Sequence, residues 1–184
     1  MSRKRLLLVR HGEYERLPVS GVDGGLTSRG RRQVAKLARY LSTEPIQRTV
    51  CSPLTRARET ADILHRAGGC SKPSVSASLR EFQPSSVPGG RQLNPTARLA
   101  ADQRLNRAVD KYCRPRAGEV LLLVAHGNLI RALVCRALGT RLSLWHRMRI
   151  NHCSITELEI GPEGEVYLIR FNDTGFMPHS MRTM

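Results

Sequence analysis

Two apolar stretches of the chain each end at a histidine followed by glycine. Residues 6–9 lead into Arg10 and His11, and residues 121–125 lead into His126. Apolar runs of this kind are typical of strands buried on both faces of a parallel sheet, and ligands bind beyond the carboxyl ends of such strands. Histidine can act as a nucleophile, and arginine binds oxyanions through a planar fork of donors. The three side chains therefore predict a site for chemistry on an anion such as a phosphate ester.

A further basic residue, Arg56, is placed by the periodicity of a predicted helix at residues 53–67. With about 100° between successive residues, Arg56 falls among the apolar positions of that helix, whereas Arg58 falls on the charged side. A charge within an apolar arc is costly unless it reaches an anion or a partner. We therefore expect Arg56 to face the site and Arg58 to face solvent.

Four motifs of the chain resemble those of the histidine phosphatase (phosphoglycerate mutase-like) superfamily. In chain order they are Arg10-His11-Gly12-Glu13, Ser52-Pro53-Leu54-Thr55-Arg56-Ala57, Leu79-Arg80-Glu81 and Val124-Ala125-His126-Gly127. Together they extend from residue 10 to residue 127 of the 184 residues, and their order and spacing are more specific than any one of them. The resemblance implies an α/β fold, a three-layer sandwich with a mostly parallel central sheet flanked by helices.

The resemblance also implies a role for each site residue. By analogy, His11 attacks phosphorus through one ring nitrogen and becomes a phosphohistidine, while a nearby backbone carbonyl orients its other nitrogen. Glu81 is the implied general acid, which then activates water as a carboxylate. The implied phosphate-binding and catalytic groups besides these are Arg10, Arg56, His126 and the amide of Gly127. Neither a metal ion nor another cofactor is expected.

Each of these residues also has a purely structural interpretation when it is considered alone. Either histidine could be an ordinary strand-end residue, Arg10 could form a salt bridge, and Glu81 could be a solvated surface charge. The full set of motifs favours the catalytic interpretation.

The sequence favours a phosphatase over a mutase. Small-molecule mutases of the superfamily have Ser or Thr and Asn where this chain has Tyr14 and Leu17. The chain also lacks the longer insertions that enclose a small substrate in mutases. A mutase must keep water from its phosphohistidine, so an open rim favours hydrolysis.

Within the superfamily, the chain is similar to the mitochondrial Ser/Thr protein phosphatase branch of the phosphoglycerate mutase family. The similarity lies in Tyr14, in residues 79–81, 130–138 and 154–156, and in residues 173–178. It implies that phosphoserine and phosphothreonine proteins are the substrates. The alternatives are a phosphoglycerate mutase and a small-metabolite phosphatase.

The rim of the site is harder to predict. The segment 82–93 is rich in Pro, Gly and Ser and is not expected to form a regular element. Candidate substrate-contacting residues on the rim are Tyr14, Phe82 and His152.

The net charge of the chain indicates which kinds of molecule it could bind. The chain has 30 Lys and Arg against 15 Asp and Glu, a formal net charge of +15, with 4% aromatic residues. The basic residues are scattered, and aromatic stacking platforms for single strands are scarce. A non-catalytic basic nucleic-acid-binding module is therefore the weaker hypothesis, and no specific nucleic acid is expected. The positive field would attract anionic substrates, either phosphorylated proteins or small phosphate esters.

The remaining elements complete a single domain over residues 1–184, with residues 171–184 as a C-terminal tail. Helices are predicted from Ser28, from Asn94-Pro95 and over residues 128–138, with Ala97 on the buried arc of the second. Short strands are predicted at residues 49–51 and 74–79, and a terminal hairpin at residues 154–160 and 165–170.

Localisation and assembly are predicted from weaker signals. The apolar run at residues 6–9 is too short for a signal peptide or a membrane span. The 5 cysteines have no ligand-like spacing and indicate neither a zinc site nor a disulfide framework. We expect a cytoplasmic protein without a membrane partner. Association of family members through domain edges makes a homodimer the candidate assembly.

Overall fold

A central six-stranded sheet organises the fold. The computed structural model describes residues 2–15, 24–82 and 94–184. The strand order across the sheet is β3-β2-β4-β1-β5-β6. The first four strands along the chain are parallel to one another, β5 is antiparallel to β1, and β6 is antiparallel to β5. The strands are β1 (Lys4–Arg10), β2 (Arg48–Cys51), β3 (Pro73–Val75), β4 (Val120–Ala125), β5 (Ile155–Ile160) and β6 (Val166–Asp173).

Four helices cover the two faces of the sheet. They are α1 (Ser28–Leu41), α2 (Thr55–Arg66), α3 (Pro95–Tyr112) and α4 (Gly127–Ala137). Alternate residues of β1 point to opposite faces, so Leu6 packs with α3 and α4 whereas Leu7 packs with α1 and α2. The predicted three-layer α/β sandwich is confirmed.

The two strands that end at histidine are neighbours in the sheet. β1 and β4 are parallel, and their register pairs Arg10 with Ala125. Leu7, Leu122 and Val124 are fully buried, as expected for central strands with helices on both faces. This pairing places His11 and His126 side by side just beyond the strand ends.

Three local predictions are corrected by the structure. The strand predicted at residues 74–79 is split, because β3 ends at Val75 and a 3₁₀ turn follows at Ala77–Leu79. The helix predicted at residues 53–67 begins at Thr55 rather than at residue 53, and the hydroxyl of Ser52 accepts the Leu54 amide just before it. Ala97 is exposed, because α3 only contacts the core from Ala101 onward.

The predicted starts of α1 and α3 and the predicted terminal hairpin agree with the structure. Asn94 caps α3 by accepting the amide of Ala97, as its position before proline indicates. α4 is buried on nearly every side. β5 and β6 form the predicted hairpin around Gly164, whose φ of +93° is in the left-handed region that favours glycine.

The C-terminal segment packs against the domain. β6 continues to Asp173, so the predicted tail begins three residues later than residue 171. Met177 is buried in the core cluster that includes Leu37 of α1, and the side-chain amide of Gln33, also on α1, donates to the carbonyl of Met181. Among the helices that the structure describes, none is both long and apolar enough to span a membrane.

Candidate active site

His11 lies at the centre of the site and is almost completely buried, with 2% of its side chain exposed. Its Nδ1 lies 2.8 Å from the carbonyl oxygen of Gly12. Because a carbonyl only accepts, Nδ1 carries the ring proton. The lone pair on Nε2 therefore faces the site, where the Nε–H of Arg56 donates to it at 3.1 Å. The carbonyl that was expected to orient the ring is that of Gly12.

The surroundings hold His11 neutral. Burial lowers its pKa well below the ordinary value, and His126, Arg56 and Arg10 lower it further. The contact with the Gly12 carbonyl opposes these effects only in part. The imidazole is thus kept in the form that can attack an electrophile.

Arg10 is positioned at the end of β1 by two fixed acceptors. Its Nη1 donates to the carbonyl of Ile150 at 2.6 Å, and its Nη2 donates to Nε2 of His152 at 2.9 Å. Gly127 leaves space beside it, because a Cβ there would lie 3.1 Å from Ile150 Cγ2 and 3.4 Å from Arg10 Nε.

Arg56 lies in the first turn of α2 and is half-buried, whereas Arg58 is exposed, as the helical periodicity predicted. The guanidinium carbon of Arg56 lies 4.6 Å from the centre of the Tyr14 ring. The same ring meets His11 edge-on with centroids 5.1 Å apart. Tyr14 therefore packs against both the candidate nucleophile and its neighbouring arginine.

His126 lies next to His11, with ring centroids 5.1 Å apart. Its Nε2 is 2.7 Å from the hydroxyl of Ser52, and its Nδ1 has no hydrogen-bond partner among the described residues. Ser52 already accepts the amide of Leu54, so its hydroxyl proton is available to His126 Nε2. Burial, followed by Arg56 and Arg10, lowers the pKa of His126 to about 2. The ring is therefore neutral, and donation from the Ser52 hydroxyl to Nε2 is compatible with a ring proton on Nδ1.

Glu81 is held at the N-terminus of α4. Its Oε1 accepts the amides of Leu129 at 3.2 Å and Phe82 at 3.0 Å. Burial raises the pKa of Glu81, and these amides and the nearby arginines only partly offset the effect. A raised pKa favours the protonated carboxyl that a general acid needs.

A cavity of about 380 Å³ opens beside these groups. Its lining includes Arg10, Glu81 and Gly127, together with Arg131 and Arg149. Within the described ranges, no cluster of three or more His, Cys, Asp and Glu side chains could hold a metal ion.

The structure brings the predicted catalytic residues together but changes the assignment of the rim. Phe82 is 1% exposed and packs in the core with Leu79, so its side chain does not line the entrance, although it directly follows Glu81. His152 is 3% exposed and contacts Arg10, so it supports an arginine rather than forming a rim. The rest of the segment 82–93, as well as Leu17, lies outside the described residues.

Several residues of the site are not evident from the motifs. Thr60 on α2 accepts the amide of Gly12, and Arg104 on α3 donates to the carbonyl of Glu81. Arg131 could have been suspected, because it is a charge in the middle of a mostly apolar helix. Arg149 carries no sequence signal that marks it.

The fold and the site together define an α/β protein with a neutral histidine among arginines at the carboxyl edge of its sheet. That arrangement is suited to phosphoryl transfer through histidine. The chain belongs to the histidine phosphatase superfamily (branch 1), whose model matches residues 6–96 and 94–174.

Curated relatives are similar along nearly all of the chain. "Serine/threonine-protein phosphatase Pgam5, mitochondrial" of Drosophila yakuba is 36% identical over 192 residues, which cover 98% of this chain and 66% of that protein. The protein of the same name from Drosophila ananassae is 36% identical over 187 residues, covering 95% of this chain and 65% of the relative. The chain thus spans about 65% of the length of these relatives.

Solved structures agree with the fold. Bacillus stearothermophilus YhfR has a TM-score of 0.76 at 24% identity, covering 95% of this chain and 100% of that one. A phosphoglycerate mutase from Plasmodium falciparum has a TM-score of 0.64 at 26% identity, with coverage of 93% and 91%. A mycobacterial glucosyl-3-phosphoglycerate phosphatase has a TM-score of 0.74 at 24% identity, with coverage of 94% and 100%.

Proposed function

We propose that the protein is a metal-independent phosphatase that hydrolyses phosphate monoesters through a phosphohistidine on His11. The main support for this proposal is the protonation and orientation of the His11 ring. Its Nδ1–H is fixed on the Gly12 carbonyl, and its Nε2 lone pair is held 3.1 Å from Arg56 Nε. An unprotonated, oriented nitrogen beside guanidinium groups is what attack on a bound phosphate requires.

In the first step, the Nε2 lone pair of His11 forms a bond to phosphorus while the bond from phosphorus to the leaving oxygen breaks. Arg10 and Arg56 bind the nonbridging oxygens, with the Nδ1–H of His126 and the Gly127 amide as additional donors. The proton of Glu81 passes to the leaving oxygen. The alcohol is released, and Glu81 remains as a carboxylate.

In the second step, water attacks the phosphohistidine. Glu81 takes a proton from this water as the new P–O bond forms, and the electron pair of the P–N bond returns to His11 Nε2. The product is inorganic phosphate, and both residues regain their starting protonation states. No redox change occurs, so these residues need no further reactant besides water.

We assign phosphoserine and phosphothreonine proteins as the substrates. The names of the curated relatives, which are Ser/Thr protein phosphatases, support this assignment. The similarity to the Plasmodium phosphoglycerate mutase, at 26% identity, supports a mutase as one alternative. The structural neighbours whose names give small phosphate esters as substrates support a metabolite phosphatase as the other. Tyr14 stands where mutases have Ser or Thr, which favours hydrolysis.

The location and the assembly of the protein are tested separately from its reaction. A cytoplasmic location stays a prediction, and the mitochondrial names of the relatives favour a different compartment. The homodimer also stays a prediction. Fractionation of cells expressing the tagged full-length protein, with size-exclusion chromatography and light scattering of the purified chain, tests both.

The deciding experiment measures hydrolysis of p-nitrophenyl phosphate, a phosphothreonine peptide and 3-phosphoglycerate in EDTA. We expect phosphate release from the peptide by the wild-type protein and none by His11→Ala. Quenching the labelled wild-type protein in alkaline detergent should trap phosphate on it in an alkali-stable linkage that is lost on acid treatment. Activity that survives in His11→Ala would refute the mechanism. Transfer between phosphoglycerates that exceeds their hydrolysis would support the mutase alternative.

A further inference from the structure

The cavity beside Arg10 and Glu81 has a second group of positive charges. Arg131 and Arg149 line it together with Arg10, and Glu81 is the only acidic side chain among its lining residues. Burial favours the neutral form of that carboxyl. The cavity therefore carries more positive charge than binding a single phosphate at Arg10 accounts for.

Arg131 is a half-buried cation whose hydrogen bonds all go to neutral oxygens. Its Nε donates to the Gly127 carbonyl at 3.2 Å, its Nη1 donates to the Met148 carbonyl at 2.8 Å, and its Nη2 donates to Asn128 Oδ1. Within the part of the chain that the structure describes, no carboxylate lies in ion-pair range of it. These contacts and the Trp145 ring, whose centre lies 4.6 Å from the guanidinium carbon of Arg131, fix the orientation of the side chain. They leave its positive charge unneutralised, so it can attract an anion into the cavity.

Arg149 is exposed at the mouth of the cavity, and the described residues offer it neither an ion pair nor a hydrogen bond. It directly precedes Ile150, whose carbonyl holds Arg10. The backbone therefore ties Arg149 closely to the phosphate-binding arginine. A side chain in this place can reach a group that is attached to the substrate a short distance from the phosphate.

The same arginine also lines a second cavity of about 560 Å³. Its wall includes Arg182 and His179 from the C-terminal segment, together with Asn151 and Asn172. The positively charged surface thus continues from the phosphate site past Arg149 along the outside of the domain. A small metabolite would be too short to use both cavities, whereas an extended peptide could cross from one to the other.

We propose that the site binds phosphopeptides that carry acidic side chains next to the phosphorylated residue, and that Arg149 selects them by contacting one of those carboxylates. Arg131 provides a fixed positive charge deeper in the same cavity. This inference rests on the proposed phosphatase function and specifies its substrate class.

The test compares two phosphothreonine peptides that differ only in whether the flanking residues are Glu or Gln. At low ionic strength we expect the wild-type protein to prefer the acidic peptide about fivefold in kcat/KM, the upper range for an exposed ion pair. The ratio should fall towards one in Arg149→Gln and below one in Arg149→Glu. Added salt should reduce the wild-type preference.

Arg147 provides the matched control. It is an exposed arginine on the same stretch of chain but does not line the cavity. Arg147→Gln removes the same charge from the protein, so it should leave the acidic-to-neutral ratio as in the wild type. An equal loss of preference in both variants would mean that net charge alone attracts the peptide, which would overturn the assignment of Arg149.

A binding measurement tests the proposed peptide selectivity independently of the proposed reaction. Fluorescence anisotropy with the same two peptides and the His11→Ala protein measures selectivity without turnover. Equal affinity for both peptides, in a wild-type protein that hydrolyses them, would overturn the inference and leave the phosphatase function intact. An Arg149-dependent preference for 3-phosphoglycerate over both peptides would also overturn it. An acidic preference in binding without any hydrolysis would support the inference and refute the phosphatase.

Discussion

The guanidinium of Arg10 is oriented by the ring of His152, whose Nε2 accepts its Nη2–H at 2.9 Å. Because a guanidinium only donates, the proton of the His152 ring is on Nδ1, where it reaches Thr183 Oγ1 at 3.0 Å. Thr183 in turn accepts from the side-chain amide of Gln33 at 2.9 Å. A chain of hydrogen bonds therefore links the phosphate-binding arginine to the C-terminal segment and to α1.

Replacing His152 should weaken phosphate binding. His152→Leu removes the acceptor that orients Arg10, and a hydrogen bond to a charged group is worth about 1.5–3 kcal/mol, or roughly ten- to 100-fold. We expect KM for p-nitrophenyl phosphate to rise about tenfold, with a smaller change in kcat. His152→Gln, which can still offer an oxygen to Arg10, should recover much of the loss. Equal kcat and KM effects in both variants, together with a lower melting temperature, would show that His152 has only a structural role.

This contact also shows why part of the site could be predicted and part could not. The strand ends at Arg10 and His126 and the position of Arg56 follow from local patterns of apolar residues, so sequence periodicity was sufficient. The partners Arg10 and His152 are 142 residues apart, and only the antiparallel addition of β5 to β1 brings them together.

The failed prediction for Phe82 has a similar explanation. Its neighbours 83–93 are rich in Pro, Gly and Ser, so the sequence indicates a surface loop. A single large apolar side chain at the edge of such a segment can still turn inwards, and Phe82 does so because it packs in the same core cluster as Leu79. The same limit explains why Arg149 was missed, since nothing local distinguishes a cavity-lining arginine from the other exposed arginines.

The pH dependence of kcat/KM should be set by His11 and Glu81. The reaction needs His11 neutral at Nε2, and its pKa is held well below 6.5, so protonation of His11 should reduce activity only well below that pH. It also needs Glu81 protonated, and the pKa of that carboxyl is raised above 4.5, so activity should fall as pH rises through the raised value. A pH profile of kcat/KM, corrected for the ionisation of the substrate, measures both the fall in activity at low pH and the fall at high pH. An acid limb near pH 6.5 would contradict the neutral, buried His11.

Glu81→Gln should slow both halves of the reaction. Proton transfer by a positioned side chain typically contributes about 100-fold or more, and an alkyl phosphate such as a phosphothreonine peptide needs the acid more than p-nitrophenyl phosphate does. We expect the peptide reaction to fall at least 100-fold. The aryl phosphate should instead give a burst of nitrophenol followed by slow turnover, because the phosphohistidine lacks its base. Rapid-mixing kinetics measure the burst, and its absence together with equal losses on both substrates would argue against this role.

A stability prediction concerns a site far from the proposed chemistry. The ammonium of Lys4 is 2% exposed and lies 3.0 Å from Glu119 Oε2, and Glu119 also pairs with Arg48 and Arg116. Glu119→Gln would leave the buried lysine without a carboxylate, and breaking such a pair costs about 3 kcal/mol or more. Lys4→Met should cost less, because Glu119 keeps its two arginines. Urea denaturation at pH 7 measures the two losses, and KM for p-nitrophenyl phosphate should not change in either variant.

The stabilisation by Glu119 should also depend on pH. Hydrogen bonding and charge interaction with Lys4 outweigh burial and lower the pKa of Glu119. The higher stability of the wild-type protein relative to Glu119→Gln is therefore present above pH 4.5 and is lost as pH falls through the lowered pKa. An advantage that instead grows under acid conditions would show that the carboxylate is not stabilised by these cations.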